Sequence, residues 1–217
     1  MEVKLDKWHK CQVDIKVLKE LSKKSDLKGF QHISIFFGLL IITGLLAYET
    51  WGTWWSVFWF LIYGNIYSFS NPLWHETGHK TAFKSKFLNE FFYYISSFMS
   101  NFEPTRWRYT HFVHHGNTYS TENPFDHEIE YGNNLKDTPK RLIINIIPFL
   151  DLLFLNKHIS FEIIQHAVGI KTKVMLDSIP QNAHEKTKFH SRVFVVIWLA
   201  IILWSILSLS VLPMLYF

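Results

Sequence analysis

The sequence predicts an all-α membrane protein, a helical bundle with a helical cap on one side of the bilayer. Three long stretches contain no Asp, Glu, Lys or Arg, at residues 29–48, 50–75 and 193–217. A helix needs about 20 apolar residues to cross the hydrocarbon core of a bilayer. We therefore expect three membrane spans, at residues 29–48, 51–71 and 193–216.

The distribution of basic residues predicts the orientation of these spans. All 22 Lys and Arg lie in residues 1–28 and 80–192. Loops on the cytoplasmic side of membrane proteins are the ones enriched in Lys and Arg. We expect the N-terminus and residues 72–192 to be cytoplasmic and the link at residues 49–52 to be outside. The net charge of +4 thus follows from topology, and we expect no nucleic-acid partner.

The segments outside the spans have the pattern of surface helices. Residues 12–28 place Val13, Val17, Leu18 and Leu21 near one helical face and lysines on the other, as in a helix that lies on the inner leaflet. Asn71-Pro72 marks the exit from the second span. The apolar runs at residues 87–99 and 141–155 are too short to cross, so we place them at the interface or in the cap.

Five of the 12 histidines form two compact motifs, "HETGH" and "HFVHH". His75 and His79 are four residues apart, and His111, His114 and His115 follow at spacings of three and four, so each motif presents one helical face of imidazoles. Neutral imidazole binds iron, zinc, copper and nickel. The two motifs predict one metal site at the cytoplasmic mouth of the bundle. For the other seven histidines we favour ordinary surface or core roles.

Two chemistries are open to this arrangement. His75, Glu76 and His79 match the His-Glu-x-x-His motif of zinc peptidases, in which the Glu is the general base. Five imidazoles exceed the needs of one four-coordinate zinc, and they can be shared between two redox-active irons that use O2 to break a C–H bond. In that case Glu76 is a supporting or surface carboxylate and not a base.

The two motifs resemble the first two histidine boxes of the integral-membrane fatty acid desaturases and their hydroxylase relatives. The similarity extends to "HKTAF" after the first box and to Trp107, Arg108 and Thr118 around the second. It covers about residues 30–130. The resemblance implies a di-iron centre held by eight or more histidines, O2 as co-substrate, a fatty acyl lipid substrate and a ferredoxin or cytochrome b5 type electron donor. It also implies four spans under a cytosolic cap.

The resemblance carries His75, His79, His111, His114 and His115 over as iron ligands. Glu76, Trp107, Arg108 and Thr118 become residues that support the site or contact the substrate. The family's third box, a second HxxHH, is absent. The sequence thus predicts a surface segment at residues 1–28 and an incomplete desaturase domain at residues 29–217, which we expect to be inactive alone. The alternatives are an acyl or alkyl hydroxylase, a membrane zinc peptidase and an inactive remnant.

Overall fold

The computed structural model describes residues 13–117, 127–128 and 159–217, and every regular element in these ranges is helical. The α-helices are α1 (Ile15–Leu21), α2 (Asp26–Glu49), α3 (Trp54–Tyr67), α4 (Ser70–Gly78), α5 (Lys86–Met99), α6 (Pro104–Asn117), α7 (Ile159–Ala167), α8 (Lys173–Ser178), α9 (His184–Leu207) and α10 (Leu212–Leu215), with a 3₁₀ turn at Gln181–Ala183. The predicted all-α class is confirmed in these ranges. The apolar run at 141–155 and Thr118 lie outside them.

The predicted amphipathic helix at residues 12–28 is divided in the structure. Asp14 caps α1 by accepting a hydrogen bond from the Lys16 N–H at 2.8 Å, and the helix ends at Leu21. Ser25 then caps α2. Ser and Asp favour helix starts because their side chains satisfy free N–H groups, so two caps eleven residues apart produce two helices. None of the residues of α1 is buried.

Helix α2 confirms an apolar helix over the first predicted span, residues 29–48. It has 24 residues, which at 1.5 Å per residue matches the thickness of a hydrocarbon core. Ile35, Ile41 and Leu45 are more than half exposed. Within the described residues, two helices are long and apolar enough to cross a bilayer, Asp26–Glu49 and Gln181–Leu207.

The second predicted span, residues 51–71, is wrong. Its helix α3 has 14 residues, below the length needed to cross. The Phe69 N–H bonds to Ile66 O, three residues back and not four, and Pro72 has no N–H to donate to the Ser68 carbonyl. This break ends α3 and starts α4 as a separate helix. The consequence is functional, because α4 carries the first histidine box.

The third predicted span, residues 193–216, is misplaced. Helix α9 starts at His184 and ends at Leu207, and Leu209 adopts a left-handed conformation with φ 49°. The Ser210 N–H closes the helix end on Ser205 O at 3.1 Å, a Schellman-type stop that redirects the chain. The polar start of α9 packs on α7 and was mistaken for cap sequence.

Helices pack in sequential pairs, α2 on α3 and α4 on α5, and α6 contacts α5, α8 and α9. Tyr216 links α2 and α3 through two hydrogen bonds. Tyr63 Oη donates to Tyr216 O at 2.9 Å, and Tyr216 Oη donates to Gly44 O at 2.8 Å. Near α4, a buried aromatic cluster of Trp74, Tyr93 and Trp107 joins α4, α5 and α6. This cluster fixes the relative position of the two helices that carry the histidine boxes.

Candidate metal centre

Four of the five boxed histidines converge at one point. His75 and His79 come from α4 and its C-terminal cap, and His111 and His115 come from α6. One ring nitrogen of each lies within 4.8 Å of one ring nitrogen of every other. The spacing of four residues within each box places both of its imidazoles on one helical face, and the aromatic cluster turns the two faces toward each other.

Three of these nitrogens form a triangle that hydrogen bonding cannot satisfy. The Nε2 atoms of His79, His111 and His115 are 3.1, 3.1 and 3.0 Å apart. In a neutral imidazole each Nε2 either carries a proton or presents a lone pair. Two of three mutually contacting atoms must therefore be in the same state and repel each other. A cation that accepts all three lone pairs removes this conflict.

The dimensions of the triangle suit a metal ion. Imidazole nitrogens bind first-row ions such as zinc at about 2.0–2.1 Å. Neighbouring ligands on such an ion, at angles of about 90–110°, are separated by about 3.0–3.4 Å. The observed spacings fit one triangular face of a coordination sphere, and His75 lies beside it, so these residues could hold a metal ion.

His114, the fifth predicted ligand, does not belong to the four-histidine group. It lies on the same helix, and its ring stacks near that of His111 with centroids 5.9 Å apart. Within the described residues, no second group of three or more potential ligands is brought together. The assignment of His114 as a ligand therefore stays a prediction.

The floor of the site is aromatic. Trp74, Tyr93 and Trp107 are at most 7% exposed, and the Trp74 ring lies 5.3 Å from the His111 ring. Tyr93 Oη donates to Pro104 O at 2.7 Å, which ties α5 to the start of α6. A Cβ on Gly78 would meet the Tyr93 ring at 3.1 Å, so the small residue allows this close approach.

Arg108, predicted near the site, lines the same pocket as the histidines. Its Nη2 donates to Glu90 Oε2 at 3.0 Å, and its guanidinium lies 4.4 Å from the centre of the Tyr93 ring. These two contacts hold the guanidinium at the rim. Trp107, also predicted, is buried beneath the pocket and does not act as a surface anchor.

Glu128 is a residue that the sequence analysis missed. Its Oε2 lies 2.8 Å from His111 Nδ1, and its Oε1 accepts a hydrogen bond from Thr110 Oγ1 at 3.2 Å. A carboxylate on Nδ1 keeps the proton there and leaves Nε2 free to bind metal, which is the usual support for a histidine ligand. No helical spacing links Glu128 to the box, because it lies 17 residues after His111 in the sequence.

The electrostatics of the cluster favour metal-binding protonation states. Partial desolvation, followed by the neighbouring imidazoles, lowers the pKa of His79 and of His115 from the ordinary histidine value. Three close imidazoles disfavour a positive charge on any one of them. Both rings are therefore neutral at pH 7, and neutral imidazole is the form that binds metal.

Glu76 does not face the histidine pocket. It is absent from the pocket lining and instead lines a groove beside α2. Its Oε2 accepts a hydrogen bond from Thr81 Oγ1 at 2.5 Å, and its Oε1 is 3.6 Å from His75 Nδ1. The Glu76 carboxylate thus contacts Thr81 and the edge of His75 and does not line the pocket in which the four histidines meet.

The other histidines after the second box have separate partners where the structure describes them. His127 lies 3.1 Å from Asp177 and His166 lies 2.8 Å from Thr172. His184 contacts Ile179 O at 2.9 Å, and His190 contacts Thr105 Oγ1 at 2.7 Å. They were expected to be ordinary core or surface residues. The structure pairs each with a polar group outside the cluster.

No curated protein and no solved structure shows a significant match to the chain. A family model described as fatty acid desaturase matches residues 34–217, which include both histidine boxes. The match covers most of the sequence and confirms the resemblance drawn from the boxes. The chain belongs to the fatty acid desaturase family.

Proposed function

We propose that the protein is a membrane desaturase that removes two hydrogens from adjacent carbons of a lipid-linked acyl chain. The observation that carries the proposal is the convergence of His75, His79, His111 and His115, whose facing nitrogens are spaced for a metal and cannot satisfy one another. Membership of the fatty acid desaturase family supports an acyl substrate over any other class.

Iron is the proposed metal. When bound, it supplies the O2-dependent oxidation of a C–H bond, whereas zinc has no redox chemistry. The four-histidine group accounts for one ion. We propose His114 as a ligand of a second iron, O2 as co-substrate and a ferredoxin or cytochrome b5 type protein as electron donor.

Residues around the cluster have supporting roles in this proposal. Glu128 holds the Nδ1 proton of His111 and so directs its Nε2 toward the ion. Trp74, Tyr93 and Trp107 close the floor of the pocket and exclude water from that side. Arg108, held at the rim by Glu90, is placed to contact the substrate or to orient α6.

An apolar cavity supports an acyl substrate. It has a volume of about 550 Å³ and lies between α2, α3, α5 and α9. Phe37, Leu40, Phe98 and Phe194 line it, and Pro104 connects its wall to Tyr93 in the floor of the metal site. Cavities of this size and character hold small apolar ligands.

We propose that α2 and α9 span the membrane, with the N-terminus and the histidine boxes on the cytoplasmic side. Residues 1–28 then lie at the membrane surface, and residues 29–217 form the desaturase domain. The lysines of residues 1–28 and the basic residues of the cap support this orientation.

The position of the Glu76 carboxylate favours a desaturase over a peptidase. A peptidase of this motif needs Glu76 to act on a metal-bound water, and the Glu76 carboxylate is instead turned to Thr81 and the neighbouring groove. A hydroxylase would share the same histidines, so only the product separates it from a desaturase.

The test combines metal analysis with product analysis of the full-length gene product, expressed in a host with a reducing partner. We expect iron and new double bonds in the wild type, neither in His79→Ala, and both in Glu76→Gln. Hydroxylated acyl chains in place of new double bonds would show that the protein is a hydroxylase and not a desaturase. Bound zinc together with peptide cleavage that Glu76→Gln abolishes would contradict it entirely.

A further inference from the structure

A second ligand site lies outside the metal pocket. A groove of about 670 Å³ runs between α2 on one side and α3 and α4 on the other. The turn between α1 and α2 forms one end of this groove. No residue of this groove belongs to the four-histidine group. The reaction proposed above does not use it.

The groove changes from basic to apolar along its length. Lys23, Lys24 and Lys28 line one end, and Ile33, Phe36 and Leu39 continue along the same side of α2. From Lys28 to Leu39 the helix rises about 16 Å. The opposite wall adds Ile66, Phe69 and Leu73. A ligand that fits this gradient has an anionic head and an apolar chain.

The groove carries more positive than negative charge, because three lysines and one carboxylate, that of Glu76, line it. Lys23 pairs with Glu20 at 2.7 Å. Lys24 Nζ donates to Lys80 O at 2.7 Å, a contact that positions the ammonium but leaves its charge. Among the described residues, no carboxylate lies within 4.0 Å of Lys24 Nζ or Lys28 Nζ. Among the described residues, the ammonium groups of Lys24 and Lys28 thus have no ion-pair partner within that distance and can pair with an anion.

The apolar end is open to its surroundings. Ile35, Leu39 and Phe69 line it and are 61%, 46% and 58% exposed. They lie on or beside α2, one of the two helices that could cross a bilayer. A ligand can thus enter sideways from the bilayer, as a membrane lipid does. A soluble acyl thioester would need a closed apolar channel to keep its chain from water.

We infer that this groove binds an anionic phospholipid, with its phosphate on Lys24 and Lys28 and one acyl chain along α2. Lysines beside a membrane surface attract anionic headgroups with about 1 kcal/mol each. The inference rests on the membrane location in the proposed function, and it is independent of the proposed reaction.

The test is competition binding of fluorescent phosphatidylglycerol to the purified protein in detergent micelles. Replacing Lys24 and Lys28 together by Ala should weaken binding about 30-fold, since each lysine contributes about five-fold. The matched control Lys186→Ala removes an exposed lysine of α9 and should change nothing. Leu39→Trp fills the apolar end and should also weaken binding. Phosphatidylcholine should compete poorly with the wild type.

Bound metal is measured in the same samples and should be equal in all of them, which separates this site from the metal centre. If wild-type protein binds phosphatidylglycerol but no iron, the proposed function fails and the lipid site stands. Wild-type affinity in the double variant or in Leu39→Trp would overturn the inference. So would displacement of the lipid by an acyl-CoA at equal concentration, which would identify a soluble thioester as the occupant.

Discussion

The histidines of the α4–α6 pocket and those of the α7–α9 core differ in what their ring nitrogens face. In the pocket, the Nε2 atoms of His79, His111 and His115 point at one another within 3.1 Å. In the core, His166 has the Thr172 hydroxyl as partner, and His184 has the Ile179 carbonyl. The Nε2 atoms of the pocket histidines face one another, whereas the Nε2 atom of each core histidine contacts a hydroxyl or carbonyl oxygen of the protein.

The candidate metal ligands are more exposed than the histidines of the core. His166 is completely buried and His184 is 7% exposed, whereas His79 and His115 are exposed. A buried imidazole would often be suspected first as a functional residue. Here the partner of the Nε2 atom, and not the burial of the ring, distinguishes a candidate ligand from a structural histidine. The predictions below test this distinction from both sides.

The largest effect is expected at the metal pocket. His111→Ala removes one corner of the nitrogen triangle and should lower metal affinity more than 100-fold, beyond the roughly 10- to 100-fold cost of losing an outer partner of a ligand. His184→Gln is the matched control, because Gln can still donate to Ile179 O, and it should retain the metal. Inductively coupled plasma mass spectrometry of both proteins gives the comparison, and equal metal loss would remove the distinction.

Substitutions in the core around His166 and His184 are expected to change the stability of the protein and not its metal affinity. Arg106 is buried and its Nη2 lies 3.1 Å from Glu162 Oε2. Arg106→Met removes the cationic partner of Glu162, which keeps its hydrogen bond from Thr172, and should lower the free energy of unfolding by about 3–5 kcal/mol, with metal still bound. Lys23→Ala breaks an exposed pair with Glu20 and should have no measurable effect. Urea unfolding followed by circular dichroism in micelles measures both. An unchanged midpoint for Arg106→Met would show that the α6–α7 ion pair contributes nothing.

Substitutions of Glu128 test whether the carboxylate on His111 Nδ1 contributes to metal affinity. Glu128→Ala frees the Nδ1 of His111 and should lower metal affinity about 10- to 100-fold, and Glu128→Gln should have a smaller effect because a hydrogen bond to the ring survives. Asp177→Asn alters the same kind of carboxylate–imidazole pair at His127 and should leave metal binding unchanged. Metal titration against a competing chelator distinguishes these outcomes. Equal affinity in Glu128→Ala would mean that His111 is oriented by packing alone.

The smallest effect concerns pH. Burial lowers the pKa of His166 from 6.5, and Arg106 and His184 add to the shift against Glu162. The unfolded chain therefore takes up a proton before the folded protein does, so stability is complete above pH 6.5 and falls as pH drops toward the lowered pKa. The thermal midpoint of the metal-free protein should decrease over this window. His166→Gln should flatten the slope relative to His32→Gln, a change at an exposed histidine of α2. Equal slopes would contradict neutral burial of His166.

Patterns of local spacing predicted the pocket well. The intervals of three and four residues in the two boxes place imidazoles on one face of each helix without any knowledge of the fold. The two motifs together also predicted one shared metal site. The sequence also predicted α2, because a charge-free run of this length has few alternatives to a long apolar helix.

The sequence analysis missed features that do not follow from local spacing or hydropathy. Asn71-Pro72 marks the end of the second predicted span in the sequence, but hydropathy does not register that α3 already ends at Tyr67. The pairing of Glu128 with His111 spans 17 residues, a separation that no helical periodicity encodes. The start of α9 at His184 was missed because its polar first turns pack against α7, where burial of Thr187 and Ser191 replaces lipid contact.

The most direct test of the four-histidine centre is X-ray absorption spectroscopy at the iron edge of the purified protein. The structure predicts several imidazole nitrogens near 2.1 Å, about the length of metal–imidazole bonds in proteins, and loss of this imidazole scattering in His79→Ala. Iron bound with oxygen ligands alone, or a protein that takes up zinc and excludes iron, would contradict the assignment of these four histidines as the iron site of a desaturase.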